Sequence, residues 1–200
     1  MSENRQSARA KAREKAKSAN TQGILMLAVG LGLILIAVAA FLAIPKAAEA
    51  VRASEGLVVP VSVNFEAPEI ALTDLQGNPV ALSDYAGKVI LYNSWATWCP
   101  PCKAEMPTLQ AYYEKYQDQG LVIIAIEDGQ PVSEVADFVK QFGLTFPVWP
   151  DPEYRASRAY NVNGLPTSFV IDRDGIVRLT WSGEISMSAL EKYVTPLLAE

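Results

Sequence analysis

One long apolar run stands near the start of the chain, at residues 23–44, with the sequence GILMLAVGLGLILIAVAAFLAI and no charged side chain. A helix of this length reaches about 33 Å, enough to cross a hydrocarbon core of roughly 30 Å. A helix in a small soluble core would keep one polar face, and this run has none. The pattern predicts one transmembrane helix, followed by a linker at residues 45–63, whose small, mixed and Val/Pro positions show no helical period.

Short apolar runs and helical spacings alternate through the rest of the chain, residues 64–200. Residues 70–73 and the run after Gly77 and Asn78 predict a short β-hairpin. The β-branched and aromatic runs at residues 89–95 and 121–127 suit central strands that are covered on both faces. Further extended segments are expected at residues 146–150, 167–172 and 176–183, and helices at residues 100–119, 132–142, 153–160 and 186–198.

This order of elements predicts an α/β fold. A mixed β-sheet is covered by helices, and its parallel strands are joined by crossover connections. The predicted domain is long enough to enclose a single hydrophobic core. Pro107 falls inside the first predicted helix and is expected to kink it, because proline removes one intrahelical hydrogen bond.

Charge is distributed unevenly along the chain. Residues 1–22 carry six Lys/Arg against two Glu, a net charge of +4, whereas the chain from residue 51 carries ten Lys/Arg against nineteen Asp/Glu, a net charge of −9. The positive-inside rule then places residues 1–22 as a cytoplasmic tail and the domain at residues 64–200 on the extracytoplasmic side of the cytoplasmic membrane. No basic patch is visible in the acidic domain, which argues against nucleic-acid binding.

A cleaved signal peptide is the alternative to an uncleaved anchor. Ala48-Glu49-Ala50 fits the A-x-A form of a cleavage site. The apolar run is, however, longer than the roughly 7–15 residues of a signal h-region, which favours the anchor. No cysteine follows the run directly, so that a lipoprotein anchor is excluded.

The chain has only two cysteines, Cys99 and Cys102, in the segment NSWATWCPPCKAEMP, and it has no histidine. A structural zinc site needs about four Cys or His ligands, which a single chain of this composition cannot supply. The absence of histidine also removes Cys-His and Ser-His-Asp catalysis. A purely structural disulfide would close a very short loop and would stabilise the fold little. We predict neither a metal nor another cofactor.

The two cysteines instead have the arrangement of a redox pair. The predicted strand at residues 89–95 runs into a short turn, and the next helix begins near Pro100, so that Cys99 lies at the helix N-terminus. Free backbone N–H groups and the helix dipole favour a thiolate there. Cys102, one turn later, can resolve a mixed disulfide by attacking Cys99. Pro100 and Pro101 suit the first helical turn and stiffen the loop.

The sequence WCPPC between a strand and a helix resembles the active site of the thioredoxin superfamily. The longer segment NFEAPEIALTDLQGNPVALSDYAGKVILYNSWATWCPPCKAEMPTLQ, with GLPTSFVID further on, resembles the membrane-anchored, extracytoplasmic TlpA/ResA-like thiol–disulfide oxidoreductases. The resemblance covers residues 65–198. It implies a thioredoxin-like fold with an N-terminal β-hairpin and a central insertion, here around residues 126–160.

The resemblance also implies roles for several residues. Pro166 matches the proline that is cis in this superfamily and faces the disulfide. The backbone of Leu165, Pro166 and Thr167 is therefore expected to pair with a substrate peptide. Glu105 matches a glutamate that influences the protonation of the cysteines, and it is expected to accept a proton from Cys102. A solvated helix glutamate is the alternative interpretation of Glu105.

Asn93 departs from the thioredoxin pattern, which has a buried Asp six residues before the first cysteine. Asn93 cannot take a proton, and we expect it to support the site as a buried polar residue. Trp98 is expected on the apolar rim that meets substrate, together with Pro100 and Pro101. Trp95 is expected to pack in the core at the end of its strand.

These features predict a thiol–disulfide oxidoreductase tethered outside the membrane, and the resemblance implies that it reduces disulfides in specific exported proteins. The family suggests apocytochrome c, during cytochrome c maturation, as one such partner, and a membrane thiol-electron transporter as the reductant. An oxidant that forms disulfides with the same fold is the first alternative. A peroxidase is disfavoured, because peroxiredoxins carry Thr three residues before the reactive Cys, where this chain has Ala96. An anchored binding module without enzymatic activity is a further alternative.

Overall fold

The computed structural model describes residues 58–199 and, before them, only Gly32. The predicted cytoplasmic tail, the predicted transmembrane helix apart from Gly32, and most of the predicted linker therefore lie outside the described residues. Within the described part of the chain, no helix combines the length and the apolar character that a membrane crossing requires.

The described residues form a series of strands and helices. The strands are β1 (Val61–Glu66), β2 (Ala71–Thr73), β3 (Pro79–Ala81), β4 (Val89–Trp95), β5 (Leu121–Asp128), β6 (Val148–Asp151), β7 (Thr167–Ile171) and β8 (Ile176–Ser182). The α-helices are α1 (Pro100–Tyr116), α2 (Val132–Phe142), α3 (Arg155–Ala159), α4 (Met187–Tyr193) and α5 (Thr195–Leu198). Short 3₁₀ helices cover Leu82–Tyr85 and Gln117–Gln119.

The central sheet has six strands in the order β1-β8-β7-β4-β5-β6. β4, β5 and β6 are parallel to one another, whereas β7, β8 and β1 add in antiparallel orientation on the other side of β4. β2 and β3 form a separate hairpin, as predicted. The predicted mixed sheet is thus confirmed. The parallel pairs are joined through α1 and α2, because parallel strands require a crossover connection.

β4 lies in the middle of this sheet, and every one of its seven residues is buried. Its β-branched and aromatic composition suits a strand covered on both faces. Successive side chains point to opposite faces, so that Leu91 and Trp95 join one core cluster while Ile90 and Tyr92 join the other. The first cluster contains the buried side of α1, and the second contains Trp149 of β6.

The structure differs from the prediction at β1, which begins at Val61, three residues before the expected start of the domain. The sequence VSVNFE alternates apolar and polar residues, the period of a strand. Five of its six residues are nevertheless exposed, because β1 is an edge strand that pairs only with β8. The strand is held mainly by backbone hydrogen bonds, which composition does not reveal.

The predicted helix at residues 186–198 is divided into α4 and α5, with Val194 between them. Pro196 in the first turn of α5 explains the break, because it lacks an N–H group and its ring would clash with the preceding turn of a continuous helix. Pro107, in contrast, lies inside the unbroken helix α1, which ends at Tyr116 rather than at residue 119.

A close contact between two loops constrains the connection that follows β5. Gly129 has a φ angle of +92°, and a Cβ atom at this position would overlap the ring of Tyr154. Tyr154 itself has a left-handed backbone with φ of 56°. Glycine is thus required at residue 129 both by its backbone angle and by the neighbouring ring.

We expect Gly129→Ala to destabilise the protein more than Gly77→Ala does. Gly77 has a similar φ angle of +82°, but a Cβ atom there would meet no described residue within 4 Å. Gly77→Ala should therefore cost only the backbone strain, about 1–2 kcal/mol, and Gly129→Ala at least about 1 kcal/mol more through overpacking. Urea unfolding of the two variants measures the difference, and equal losses would contradict the contact between Gly129 and Tyr154.

Candidate active site

Cys99 and Cys102 lie where β4 passes into α1. Cys99 is the N-cap of α1, which begins at Pro100 and Pro101. The backbone N–H of Cys102 donates to the Cys99 Sγ atom at 3.3 Å, and a disulfide bond joins the two sulfur atoms. Cys99 therefore occupies the helix N-terminus, where backbone N–H groups and the helix dipole stabilise a thiolate once the disulfide is reduced.

The two sulfur atoms lie at the boundary between the core and solvent. Cys99 is 3% exposed and Cys102 is fully buried, whereas Pro100 and Pro101 are exposed. Both cysteines are thus almost entirely covered in the oxidised protein, next to two exposed prolines. The division into an attacking and a resolving cysteine stays a prediction.

A cis peptide bond joins Leu165 to Pro166, as predicted. It directly precedes β7, whose first residue, Thr167, pairs with Ser94 near the carboxyl end of β4. The Pro166 carbonyl accepts a hydrogen bond from Gly183 N–H at 2.8 Å. The cis-proline loop thus lies at the same end of the sheet as the two cysteines.

Hydroxyl contacts hold the residue after the cis bond. Thr167 Oγ1 donates to the Gly164 carbonyl at 2.8 Å and lies 2.8 Å from Ser182 Oγ. Pro166 and Thr167 are buried, while Leu165 is half-buried and packs against the first core cluster. These contacts fix the backbone of the loop independently of any bound substrate.

The two tryptophans of the WATWC segment have different environments. Trp95 is fully buried at the end of β4, and its ring centroid lies 4.6 Å from that of Phe138. Trp98 is 60% exposed, directly before Cys99. The structure therefore places Trp95 in the core and leaves the indole of Trp98 available for contact with another molecule.

Glu105 is fully buried on α1, one turn after Cys102. Its Oε1 atom accepts a hydrogen bond from Asn93 Nδ2 at 2.8 Å, and the same amide nitrogen donates to Ser168 Oγ at 3.0 Å. Glu105 Oε2 has no hydrogen-bond partner among the described residues. The interpretation of Glu105 as a solvated helix residue is therefore wrong.

Burial raises the pKa of Glu105 from 4.5 to about 8. The hydrogen bond from Asn93 and the nearby backbone N–H of Ile185 lower the pKa in part, and the Glu184 carboxylate raises it. Burial is the largest of these effects, so the pKa stays raised. A carboxyl with a pKa near 8 is matched to a thiol, whose ordinary pKa is about 8.5, so that a proton passes between them at little cost.

Two further acidic residues lie at this end of the sheet, and they were not among the site residues predicted from the sequence. Glu127 and Asp128 are buried at the end of β5. Glu127 accepts backbone N–H groups from Thr97 at 3.2 Å and Gln130 at 3.0 Å. Burial raises the pKa of both carboxyls. Two carboxylates directly after the apolar run LVIIAI were the available signal.

The opposite face of the sheet holds Asp128. Its Oδ2 atom accepts hydrogen bonds from the hydroxyls of Ser94 and Ser157. Within residues 58–199, no group of three or more His, Cys, Asp or Glu side chains is arranged to hold a metal ion.

The comparisons with known proteins agree with this geometry. Residues 63–180 match the AhpC/TSA family. The thiol-disulfide oxidoreductase ResA of Geobacillus kaustophilus is 42% identical over 134 residues, 67% of this chain and 77% of that protein. ResA of Bacillus subtilis is 36% identical over 134 residues, 67% of this chain and 75% of that protein.

Two solved structures illustrate the similarity in fold. A thioredoxin-family thiol:disulfide interchange protein from Chlorobium tepidum has a TM-score of 0.63 and 28% identity, with 69% of this chain and 99% of that chain covered. A DsbF homologue from Corynebacterium diphtheriae has a TM-score of 0.64 and 25% identity, with 69% of this chain and 92% of that chain covered.

A thioredoxin-like sheet that presents a C-x-x-C pair at a helix N-terminus, beside a cis-proline, defines an enzyme that exchanges thiols and disulfides. The chain belongs to the AhpC/TSA family and, among its members, to the ResA-like thiol–disulfide oxidoreductases.

The raised pKa of Glu105 links the stability of the oxidised protein to pH. Between pH 4.5 and about 8, the folded protein keeps a proton that the unfolded chain has lost. The free energy of unfolding therefore falls as the pH rises through this window and levels off above it. We expect Glu105→Gln, which stays uncharged, to remove most of this contribution, on the order of a few kcal/mol.

Urea unfolding of the oxidised wild type and of Glu105→Gln, at about pH 5 and about pH 9, measures this effect. Glu127 and Asp128 also have raised pKa values, but they titrate in both proteins and cancel in the comparison. The same loss of stability in wild type and variant would show that Glu105 titrates normally.

Proposed function

We propose that this oxidoreductase works as an extracytoplasmic, membrane-tethered reductase of disulfides in specific exported proteins, with apocytochrome c before haem attachment as the favoured substrate. The observation that carries the exchange chemistry is Glu105, which lies buried one helix turn after Cys102, is hydrogen-bonded to Asn93 and has a pKa raised to about 8. It supplies a proton acceptor matched to the resolving thiol, in a family whose named members are ResA oxidoreductases.

The first step is attack on the substrate. The reduced Cys99 thiolate attacks one sulfur of the substrate disulfide, a Cys99–substrate disulfide forms, and the other substrate sulfur leaves as a thiolate that takes a proton. The position of Cys99 at the N-terminus of α1 favours the attacking thiolate.

The second step resolves the mixed disulfide. Cys102 loses its proton to Glu105 and attacks the Cys99 sulfur, so that the Cys99–Cys102 disulfide forms and the second substrate thiolate leaves. The two electrons of the enzyme dithiol have then passed to the substrate disulfide. Glu105 follows Cys102 by three residues, a spacing that brings side chains to the same face of a helix.

Recognition of the substrate chain involves the surface around Cys99. Trp98, Pro100 and Pro101 provide exposed apolar contacts. The Pro166 carbonyl is bonded to Gly183 N–H, so Leu165 before it provides the backbone groups to which an extended peptide can add as a strand. These contacts would select an unfolded or locally extended segment that carries a disulfide.

The location rests on the sequence outside the described residues. The apolar run at residues 23–44 and the basic residues before it favour a single-pass anchor with the N-terminus in the cytoplasm. The enzyme must be reduced again after each cycle in an oxidising compartment. A membrane thiol-electron transporter is the proposed donor, and a tether would raise its effective concentration near the enzyme.

An oxidant with the same fold is the second candidate, because thiol–disulfide exchange runs in either direction according to the potentials of the partners. A peroxidase is less favoured. The residue three positions before Cys99 is Ala96, a buried side chain without a hydroxyl group.

We expect Cys102→Ser to trap the substrate as a mixed disulfide with Cys99, because no second thiol remains to release it. The variant is expressed in the source organism and its adducts are identified by mass spectrometry after acid quenching. Proteins with a C-x-x-C-H haem-attachment motif should be enriched among the adducts. Cys99→Ser is the matched control and should trap none of them. Adducts without such motifs would overturn the choice of apocytochrome c.

The redox state of the cysteines in growing cells decides between reductase and oxidant. Acid quenching followed by alkylation with a mass-shifting thiol reagent reports the fraction of dithiol in the full chain. We expect mostly dithiol, because a reductase must be kept reduced against its compartment. A chain that is mostly disulfide would favour the oxidant.

Carbonate washing tests the anchor separately. The chain should remain in the membrane fraction after alkaline carbonate washing, and a chain released by carbonate would overturn the anchor.

A further inference from the structure

Glu127 of β5 lies beside the loop that joins β4 to α1. This loop, residues 96–99, is called the catalytic loop below. Glu127 is the penultimate residue of β5 and pairs in register with Trp95, the last residue of β4. The chain then leaves β4 and reaches Cys99 through residues 96–98. The side chain of Glu127 is fully buried at this point.

Each oxygen of the Glu127 carboxylate accepts one backbone N–H group. Oε1 accepts the N–H of Thr97 at 3.2 Å, within the loop that leads to Cys99. Oε2 accepts the N–H of Gln130 at 3.0 Å, within the loop that leads to α2. One carboxylate thus joins two loops that are separated by more than thirty residues in the sequence.

The ionised form of the side chain fits this arrangement best. A carboxylate accepts at both oxygens, whereas a protonated acid or an amide presents a donor to one of the two N–H groups. The N–H groups of Thr97 and Gln130 lower the pKa of Glu127 and oppose the larger effect of burial. A buried backbone N–H that loses its acceptor is costly, so that the loop depends on this side chain.

Other contacts hold the two ends of the loop, at the buried Ala96 and at the disulfide-bonded Cys99, and leave Thr97 and Trp98 between them. The Cys99 N–H donates to the Ala96 carbonyl at 3.1 Å and closes one turn. The side chain of Trp98 is 60% exposed and gains little from packing. The backbone sets the direction in which the Trp98 side chain leaves the chain, and Glu127 holds that backbone at Thr97.

We propose that Glu127 is a positioning residue that orients the Thr97–Trp98 backbone, so that Trp98 and Cys99 meet a protein substrate in one geometry. The proposal rests on the proposed function in assuming that protein disulfides are the substrates. It concerns recognition of the polypeptide around the disulfide. It leaves the sulfur chemistry to Cys99, Cys102 and Glu105.

Two substrates separate recognition from sulfur chemistry. Insulin is a protein disulfide that must dock on the loop, whereas 5,5′-dithiobis(2-nitrobenzoate) is a small disulfide that needs little beyond the Cys99 thiolate. We expect Glu127→Gln to raise the KM for insulin roughly 10-fold, which corresponds to the loss of one hydrogen bond to a charged group. The rate with the small disulfide should stay within about twofold of wild type.

Asp128→Asn is the matched control. It removes a neighbouring buried carboxylate on the same strand, but the contacts of Asp128 are with Ser94 and Ser157 rather than with the catalytic loop. Asp128→Asn should leave the insulin KM and the rate with the small disulfide unchanged. Glu127→Asp keeps the charge with a side chain that is one methylene shorter. If Glu127→Gln proves unstable, Glu127→Asp takes its place in the test and should also raise the KM for insulin.

A double variant tests whether Glu127 acts through Trp98. If it does, Trp98→Ala combined with Glu127→Gln should raise the insulin KM no further than Trp98→Ala alone, because the two changes remove one shared contact. Additive effects would overturn the proposal. Equal losses of Glu127→Gln activity with insulin and with the small disulfide would also overturn the proposal, because they would indicate a disturbance of the cysteines themselves.

Amide hydrogen exchange provides a readout that does not require activity. The amides of Thr97 and Gln130 should exchange faster in Glu127→Gln than in wild type, and should be unchanged in Asp128→Asn. Unchanged exchange in Glu127→Gln would overturn the positioning role. A wild-type enzyme that reduces neither disulfide would instead overturn the proposed function, while the exchange experiment would still report on Glu127.

Discussion

The amide group of Asn93 joins the three elements on which the catalytic geometry depends. From the middle of β4 it donates to Glu105 on α1 and to Ser168 on β7, in a place that water does not reach. A buried carboxyl without a partner is unstable, so these hydrogen bonds tie the position of α1 to the sheet. The first turn of α1 carries Cys102, and β7 begins at the cis-proline loop. The helix and the loop are therefore positioned through one side chain.

The same hydrogen bonds leave part of the carboxyl unsatisfied. Glu105 Oε2 and Asn93 Oδ1 have no partner among the described residues, and the pKa of Glu105 is raised because burial outweighs one strong hydrogen bond. A fully satisfied carboxylate would have an ordinary or lowered pKa and would be a poor match for a thiol. The energetic cost of an incomplete network is thus connected to the chemistry, as perturbed groups at active sites often are.

Successive side chains of β4 point to opposite faces of the sheet, and this alternation separates two polar clusters. Asn93 faces α1 and reaches Glu105, whereas Ser94 faces the opposite side and reaches Asp128 and Ser157. Glu127 and Asp128 repeat this separation on β5, one beside the catalytic loop and the other beside α3. Parallel pairing of β4 with β5 brings these residues together at the carboxyl ends of the strands, where α/β folds commonly place their sites.

The sequence by itself determined the central strands, α2 with its end at Gly143, the two hairpins and the redox pair, because each depends on local pattern or on residue chemistry. The apolar runs specify buried strands, and two cysteines without histidine leave little chemistry besides thiol–disulfide exchange. Only the tertiary structure decided that β1 is an edge strand paired with β8, that Glu105 is buried against Asn93, and that Glu127 binds the loop before Cys99. These features depend on contacts between segments far apart in the chain, and burial, which changes the pKa of a carboxyl, is a property of the assembled core rather than of any one segment.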